Sequence, residues 1–95
     1  MLNNNYLGNV RQWQDMFFGH RRSFTKMLNP RYESIAKGYG IPYDVVVDRA
    51  DLKEKVRKML DTDGPYLLEC AIKEEADVLP MTPPGKSVNE MLLEL

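Results

Sequence analysis

The residue types best suited to chemistry stand near the start of the chain, in the run Asn3-Asn4-Asn5-Tyr6-Leu7-Gly8-Asn9-Val10-Arg11-Gln12-Trp13-Gln14. Asparagine carbonyls are hard, neutral oxygen donors of the kind Mg²⁺ accepts. The cation ordinarily adds at least one carboxylate and some phosphate oxygens to complete its octahedron. A glycine and a helix-like segment directly after the amides suit a phosphate, because backbone can approach closely there and a helix N-terminus favours an anion. No carboxylate precedes the run, so a metal loop here is expected to be half of one. On residue types alone, asparagines before a helix ordinarily serve as turn and cap residues.

Other reactive side chains carry less. His20-Arg21-Arg22 suits an anion but reads as a solvated basic loop, and His20 has no nucleophile or second ligand beside it in sequence. Cys70 lies in an apolar stretch and reads as an inert core thiol. Glu74, Glu75 and Asp77 read as charges that keep a sheet edge soluble rather than as an acid–base pair. By itself, Trp13 reads as the core anchor of an amphipathic helix.

Composition narrows the class. The 95 residues make one domain at most, and 43% hydrophobic with 28% charged residues is ordinary for a globular protein. A net charge of −1 gives no electrostatic case for nucleic acid or an acidic membrane. No apolar run approaches a membrane span, and Met1-Leu2 followed by three asparagines is no signal peptide. A single cysteine excludes an internal disulfide framework and a multi-cysteine zinc site, and fits a reducing, cytoplasmic compartment.

The elements that must position these residues follow from periodicity. Met1-Leu2 reads as the stump of a strand. Gly8 to about Phe18 is a helix with Val10, Trp13 and Phe17 on its apolar face, stopped by Gly19. Asn29-Pro30 reads as an N-cap and first helical residue, with Tyr32, Ile35, Ala36 and Tyr39 inward and Gly40 as the stop. Tyr43–Val47 is a buried strand. Asp48 and Asp51 open a helix lined by Leu52, Val56, Met59 and Leu60, which Asp63-Gly64-Pro65 breaks. Tyr66–Ile72 is the next strand. Strand, helix, strand of this length implies a parallel pair. A proline-rich tail then reaches Ser87-Val88-Asn89-Glu90, a capping box opening a last short helix. The class is α/β, a partial three-layer sandwich with a small parallel sheet.

The string NNNYLGNVRQWQDMFF, together with the tail VLPMTPPGKSVNEML from Val78 to Leu92, resembles the C-terminal portion of the acetolactate synthase (acetohydroxyacid synthase) large catalytic subunit. The resemblance runs from end to end. It implies that residues 1–95 are the C-terminal part of a thiamin diphosphate-binding domain, truncated on its N-terminal side, where the family has a Gly-Asp-Gly segment. Many thiamin enzymes share the Asn-Asn element, whereas Gln12-Trp13-Gln14 and the Pro-Met-x-Pro-x-Gly tail are similar to this family in particular.

The resemblance implies roles residue by residue. Asn4 gives its side-chain oxygen, and Tyr6 a backbone carbonyl, to the Mg²⁺ that clamps the diphosphate. Gly8 lets the chain pass close to the diphosphate. Asn9 and Val10 face the thiazolium and substrate, and Trp13 lines the substrate channel, favouring 2-ketobutyrate over pyruvate as second substrate. Asn9 departs from the family pattern, which has methionine there, and an amide in that place puts substrate fit in question. The tail is expected to fold over the active-site entrance.

The implied parent condenses two pyruvates, or pyruvate and 2-ketobutyrate, to an acetohydroxyacid with loss of CO₂, in branched-chain amino-acid biosynthesis. It binds FAD outside this chain, forms a homo-oligomer, and has room for a regulatory small subunit. A partner subunit supplies the glutamate that activates the cofactor. Without that glutamate and the Gly-Asp-Gly aspartate, the isolated chain is expected to be inactive. Two other readings stay open: another thiamin-dependent decarboxylase or carboligase, and a non-catalytic α/β interaction module.

Overall fold

The computed structural model describes residues 1–94. Its elements in order are β1 (Leu2–Asn3), α1 (Gly8–Phe17), α2 (Tyr32–Gly38), β2 (Tyr43–Val46), α3 (Leu52–Asp61) and β3 (Leu67–Ala71), with 3₁₀ turns at Arg49–Asp51 and Val88–Glu90. The strands form one parallel sheet in the order β1-β3-β2. The chain is therefore α/β with a small parallel sheet, as its periodicity implies. No helix among the described residues is long and apolar enough to cross a membrane.

The Val-rich run of β2 and the Leu-rich start of β3 pair in register, Tyr43 opposite Leu67 through Val46 opposite Cys70. β1 adds Leu2 opposite Cys70 and Asn3 opposite Ala71. The sheet and α2 enclose a small apolar centre of Ala36, Val46 and Leu68. β2 is less buried than expected, because it is an edge strand: only Val46 is buried, and Val47 is exposed. That edge is blunted by its own side chains. Asp44 Oδ1 accepts the Val45 N–H at 2.8 Å, Lys55 Nζ donates to the Val45 carbonyl at 2.6 Å, and Lys55 and Asp44 pair at 3.1 Å. An edge occupied this way does not recruit another strand. Cys70 lies on the central strand β3, yet is half-buried rather than enclosed.

One helix start differs from expectation because its capping side chain has other partners, and a second starts as expected at Asp48 but through a 3₁₀ turn. α2 begins at Tyr32 with Arg31 at its N-cap. Asn29 instead donates its amide to Asn3 Oδ1 at 2.8 Å and Asn5 Oδ1 at 3.1 Å. Asp48 accepts the Ala50 N–H at 2.9 Å and so caps the 3₁₀ turn, while Asp51 makes no capping bond to α3. The closing helix is a single 3₁₀ turn, opened by Ser87 N–H donating to Glu90 Oε2 at 3.0 Å.

α1 is the largest departure. Its buried residues are Arg11, Gln12 and Asp15, whereas Val10, Trp13 and Phe17 are each nearly half exposed. The helix turns its polar side inward, because that side finds partners within the chain and the apolar side does not.

Candidate functional site

The asparagine run leaves the C-terminal end of β1, where ligands of open parallel sheets commonly bind. Asn3 Oδ1 accepts the Asn5 N–H at 3.1 Å and Asn4 Oδ1 the Tyr6 N–H at 3.2 Å, so successive asparagines hold the loop through side-chain turns. Asn5 sits at φ 56°, a left-handed conformation that asparagine tolerates. One side of the loop is zipped to the segment opposite: Leu7 N–H donates to the Thr25 carbonyl and Met27 N–H to the Asn5 carbonyl, both at 2.8 Å. Tyr6, between those two bonds, turns its own carbonyl to the other side, and among the described residues no backbone or side-chain donor meets it.

A polar network supports the loop from beneath. Glu69 on β3 accepts from Asn3 Nδ2 at 2.7 Å and from the Tyr43 hydroxyl at 2.6 Å. Burial, then Glu69, pushes the Tyr43 phenol up to about 12, so it remains a donor across the neutral range. Glu74 accepts from Asn5 Nδ2 at 3.0 Å and from Lys26 Nζ at 3.2 Å. The Asn5 amide first, and Lys26 second, hold the Glu74 carboxyl below its usual range, while Glu74 raises Lys26.

The loop delivers the chain into α1 with its first amides free of side-chain caps. Leu7 is the N-cap and contributes no side-chain bond, and no acidic residue stands in the first turn. The Arg11 N–H, bonded to the Leu7 carbonyl at 2.9 Å, opens the helical ladder. Such an end favours an anion. Gly8 is closely approached: a Cβ there would stand 3.1 Å from Asn4 Nδ2. An open groove of about 600 Å³ runs past this point, and Asn4, Tyr6, Gly8, Asn9 and Val10 all line it, with Lys73 and Ala76 on the far wall. Trp13 does not line it and lies one helical turn beyond Val10.

These residues fit the head of a Mg²⁺-diphosphate group. The Asn4 side-chain oxygen retains a second lone pair beyond the Tyr6 N–H, and the Tyr6 carbonyl is unengaged. Lys73, a groove residue that sequence reasoning missed, adds a cation suited to phosphate. The groove holds no carboxylate, and no group of three or more His, Cys, Asp or Glu suited to a metal occurs among the described residues. Both oxygen donors are neutral, so the charge of a dication would have to be met by phosphate and by a carboxylate from elsewhere.

α1 is held in place by its polar face. Arg11, 2% exposed, donates to Asp15 Oδ2 at 2.9 Å, to Asp77 Oδ1 at 2.7 Å and to the Ala76 carbonyl at 3.0 Å. Arg22 grips both oxygens of Asp15 at 2.7 and 2.8 Å and also reaches Glu75 Oε1 at 2.7 Å. The Arg22 hydrogen bond holds the Asp15 carboxyl below its usual range against the opposing effect of burial. Arg22 likewise lowers Glu75. Arg22, Glu75 and Asp77, though solvent-exposed as expected, are thus also parts of one ion network. His20, exposed and 3.3 Å from Asp15 Oδ1, stands at its margin.

Two glutamines complete the anchorage. Gln12 accepts the Val78 N–H at 2.8 Å and donates to the Val78 carbonyl at 3.0 Å. Gln14 does the same to Ser23, at 3.2 and 3.0 Å. Each side chain replaces a backbone partner, and the pair straddles Trp13. In sequence these residues carry no catalytic signature; the spacing Gln-x-Gln beside an arginine and an aspartate is the only trace.

The tail is closed on itself by paired bonds between Met81 and Leu92 at 3.0 and 2.8 Å. Met81 Sδ meets Gln12 Nε2 at 3.5 Å, and Leu92 lies beside Met16, Phe17 and His20. The tail therefore flanks the middle and end of α1. No groove-lining residue comes from beyond Val78, so the expected cover over the Asn4–Val10 groove is not provided by these contacts.

Residues 1–70 match the family described as thiamine pyrophosphate enzyme, C-terminal TPP binding domain. Acetolactate synthase 1, chloroplastic, of Oryza sativa subsp. japonica is 39% identical over 99% of this chain and 16% of its own length. The acetolactate synthase isozyme 2 large subunit of Escherichia coli (strain K12) is 41% identical over the whole chain and 18% of its own length. The acetolactate synthase catalytic subunit, mitochondrial, of Aspergillus candidus is 39% identical over 98% of the chain and 13% of its own length. The chain thus spans less than a fifth of these relatives.

Proposed function

Because the chain belongs to the thiamine pyrophosphate enzymes, as part of their C-terminal TPP-binding domain, we propose that it is the metal- and diphosphate-holding part of an acetolactate synthase catalytic chain. The observation that carries the reading is the groove in which Asn4, Tyr6 and Gly8 meet the uncapped start of α1. Asn4 Oδ1 and the Tyr6 carbonyl would hold Mg²⁺, and the first amides of α1, with Lys73, would receive the diphosphate. Gly8 keeps the space beside Asn4 clear. Asn9 and Val10 would border the reacting end, and Trp13, a turn further on, would contact the second 2-keto acid, where one methylene is worth about 1–3 kcal/mol.

When bound, thiamin diphosphate supplies the decarboxylation and carbon–carbon bond formation by which 2-keto acids become acetohydroxyacids. The chain's own part is to bind and orient. With neutral metal donors and no carboxylate in the groove, the isolated chain is inactive. FAD and the rest of the active site belong to the larger protein and its homo-oligomer, and a regulatory subunit would bind there as well. The cytoplasmic compartment rests on the single cysteine, while relatives carry chloroplastic and mitochondrial names.

Calorimetric titration with thiamin diphosphate tests the reading. Mg²⁺-dependent binding by the chain, weakened at least about tenfold by Asn4→Ala with the circular dichroism spectrum unchanged, is the expected result; a tenfold loss corresponds to about 1.4 kcal/mol. Equal binding by the variant overturns the metal assignment. For the reaction, this chain would replace the matching segment of the Escherichia coli isozyme 2 large subunit. Acetolactate formation from pyruvate is expected, and a folded chimera without it would redirect the assignment to another thiamin enzyme.

A further inference from the structure

We propose that Asn5 is a positioning residue that fits its loop to Mg²⁺ in preference to a larger dication such as Ca²⁺. The proposal rests on the assignment of Asn4 and Tyr6 as metal donors. Asn5 stands between them in sequence, and its φ of 56° helps set how the Asn4 side chain and the Tyr6 carbonyl are turned relative to each other. Asn5 itself does not line the Asn4–Val10 groove. It lines a separate cleft of about 530 Å³, together with Asn3, Asn29 and Glu69.

Every polar group of Asn5 is engaged within the chain. Its N–H donates to Asn3 Oδ1 at 3.1 Å, and its carbonyl accepts the Met27 N–H at 2.8 Å. Its side-chain oxygen accepts from Asn29 Nδ2 at 3.1 Å, and its own Nδ2 donates to Glu74 Oε1 at 3.0 Å. A left-handed asparagine can make a turn without such ties; here four partners hold it. The Glu74 bond also joins the donor loop to the segment whose Lys73 and Ala76 form the far wall of the groove. Donors held this way select by size. Mg²⁺ demands a near-ideal octahedron at about 2.0–2.1 Å, whereas Ca²⁺ accepts irregular shells at about 2.3–2.6 Å. Loosening the loop therefore costs Mg²⁺ more than Ca²⁺, while a general loss of folding costs both alike.

The test is calorimetric titration of the 95-residue chain with thiamin diphosphate, once in Mg²⁺ and once in Ca²⁺. The wild-type chain should bind more tightly with Mg²⁺. Asn5→Gly keeps the left-handed turn, which glycine adopts freely, and removes both side-chain ties. It should lose at least about tenfold in affinity with Mg²⁺ and under about threefold with Ca²⁺. Glu74→Ala should shift the ratio in the same direction, and Glu74→Gln, which keeps an oxygen acceptor for Asn5, should restore it. Equal losses with both cations in Asn5→Gly would leave Asn5 a structural turn residue and overturn the proposal. So would a wild-type chain that binds equally with either cation. Weaker binding by Asn4→Ala beside an unchanged Asn5→Gly overturns this inference alone. Absence of Mg²⁺-dependent binding by the wild type overturns the metal assignment together with it.

Discussion

Asp15 shows how much of the candidate site depends on one carboxylate that never touches it. It is 7% exposed and receives Arg11 and both arms of Arg22. Asp15→Asn keeps the shape but leaves the buried Arg11, and the exposed Arg22, against a neutral group. Removing one member of a buried pair costs about 3–5 kcal/mol, and the lower end applies here because Arg11 keeps Asp77. The sign of the acid response follows from the lowered carboxyl. A depressed folded-state value means that Asp15 contributes stability above its ordinary value of 3.8, and that this contribution is lost as pH falls through the lowered value. Urea melts from pH 7 to pH 2 should show the wild-type chain losing stability below about pH 4. Asp15→Asn should begin about 3 kcal/mol lower and decline less steeply. An equally steep decline in the variant would place the acid sensitivity on Asp44, Glu74 or Glu75, whose carboxyls are also held low.

At the scale of elements, α1 differs from the others in having almost no apolar attachment. Its two glutamine clips are chemically alike but differently placed: Gln12 is buried, whereas the Gln14–Ser23 pairing is exposed to water. Gln12→Ala leaves the Val78 N–H and carbonyl without their partner beside a buried helix face, a loss of about 1–3 kcal/mol. Gln14→Ala should cost under about 1 kcal/mol, since water replaces the amide. Denaturant melts of the two variants compare them directly, and equal losses would remove burial as the deciding factor. The same contrast explains what was legible in the sequence. The strands, α3, the body of α1 and the Asn4–Val10 loop follow from local period and turn chemistry, which neighbouring residues determine. Which side of α1 lies inward does not, because Arg11 and Gln12 find their partners 65 and 66 residues away. Hydropathy assigns Val10, Trp13 and Phe17 to the interior, while a long-range ion pair holds Arg11 inward, long-range hydrogen bonds hold Gln12, and Asp15 follows through Arg11 and Arg22. Asn29 departs from its local N-cap signal for a similar reason, since the acceptors that draw it from α2 lie on the Asn3–Asn5 loop.

The whole molecule is open for its mass. Its radius of gyration is 17.4 Å and its extents are 47 × 27 × 23 Å, where a compact chain of this length would have a radius of about 12 Å. Its accessible surface of 7463 Å² exceeds by about a third the roughly 5,600 Å² of a folded monomer of 11.0 kDa. The excess is somewhat more than the roughly 1,600 Å² that a standard protein interface buries in total. It is also unevenly apolar: Leu7, Val10, Trp13, Phe17 and Phe18 crowd the α1 side, each left about half exposed. At the sheet, β2 is blunted by Asp44 and Lys55, whereas Leu2, 73% exposed, leaves the outer side of β1 unguarded. Association is therefore expected through α1 and β1, not through β2. Sedimentation velocity from about 1 to 500 µM should show a rising weight-average mass, as expected for an uncovered apolar surface of this size. Trp13→Ser should lower that tendency, with the far-ultraviolet spectrum preserved because Trp13 carries none of the bonds that anchor α1. Val47→Lys, on the blunted edge, should leave it unchanged. A monomer across the whole range would mean that the exposed face of α1 is tolerated in water, and would move the required cover from self-association to other parts of the larger protein.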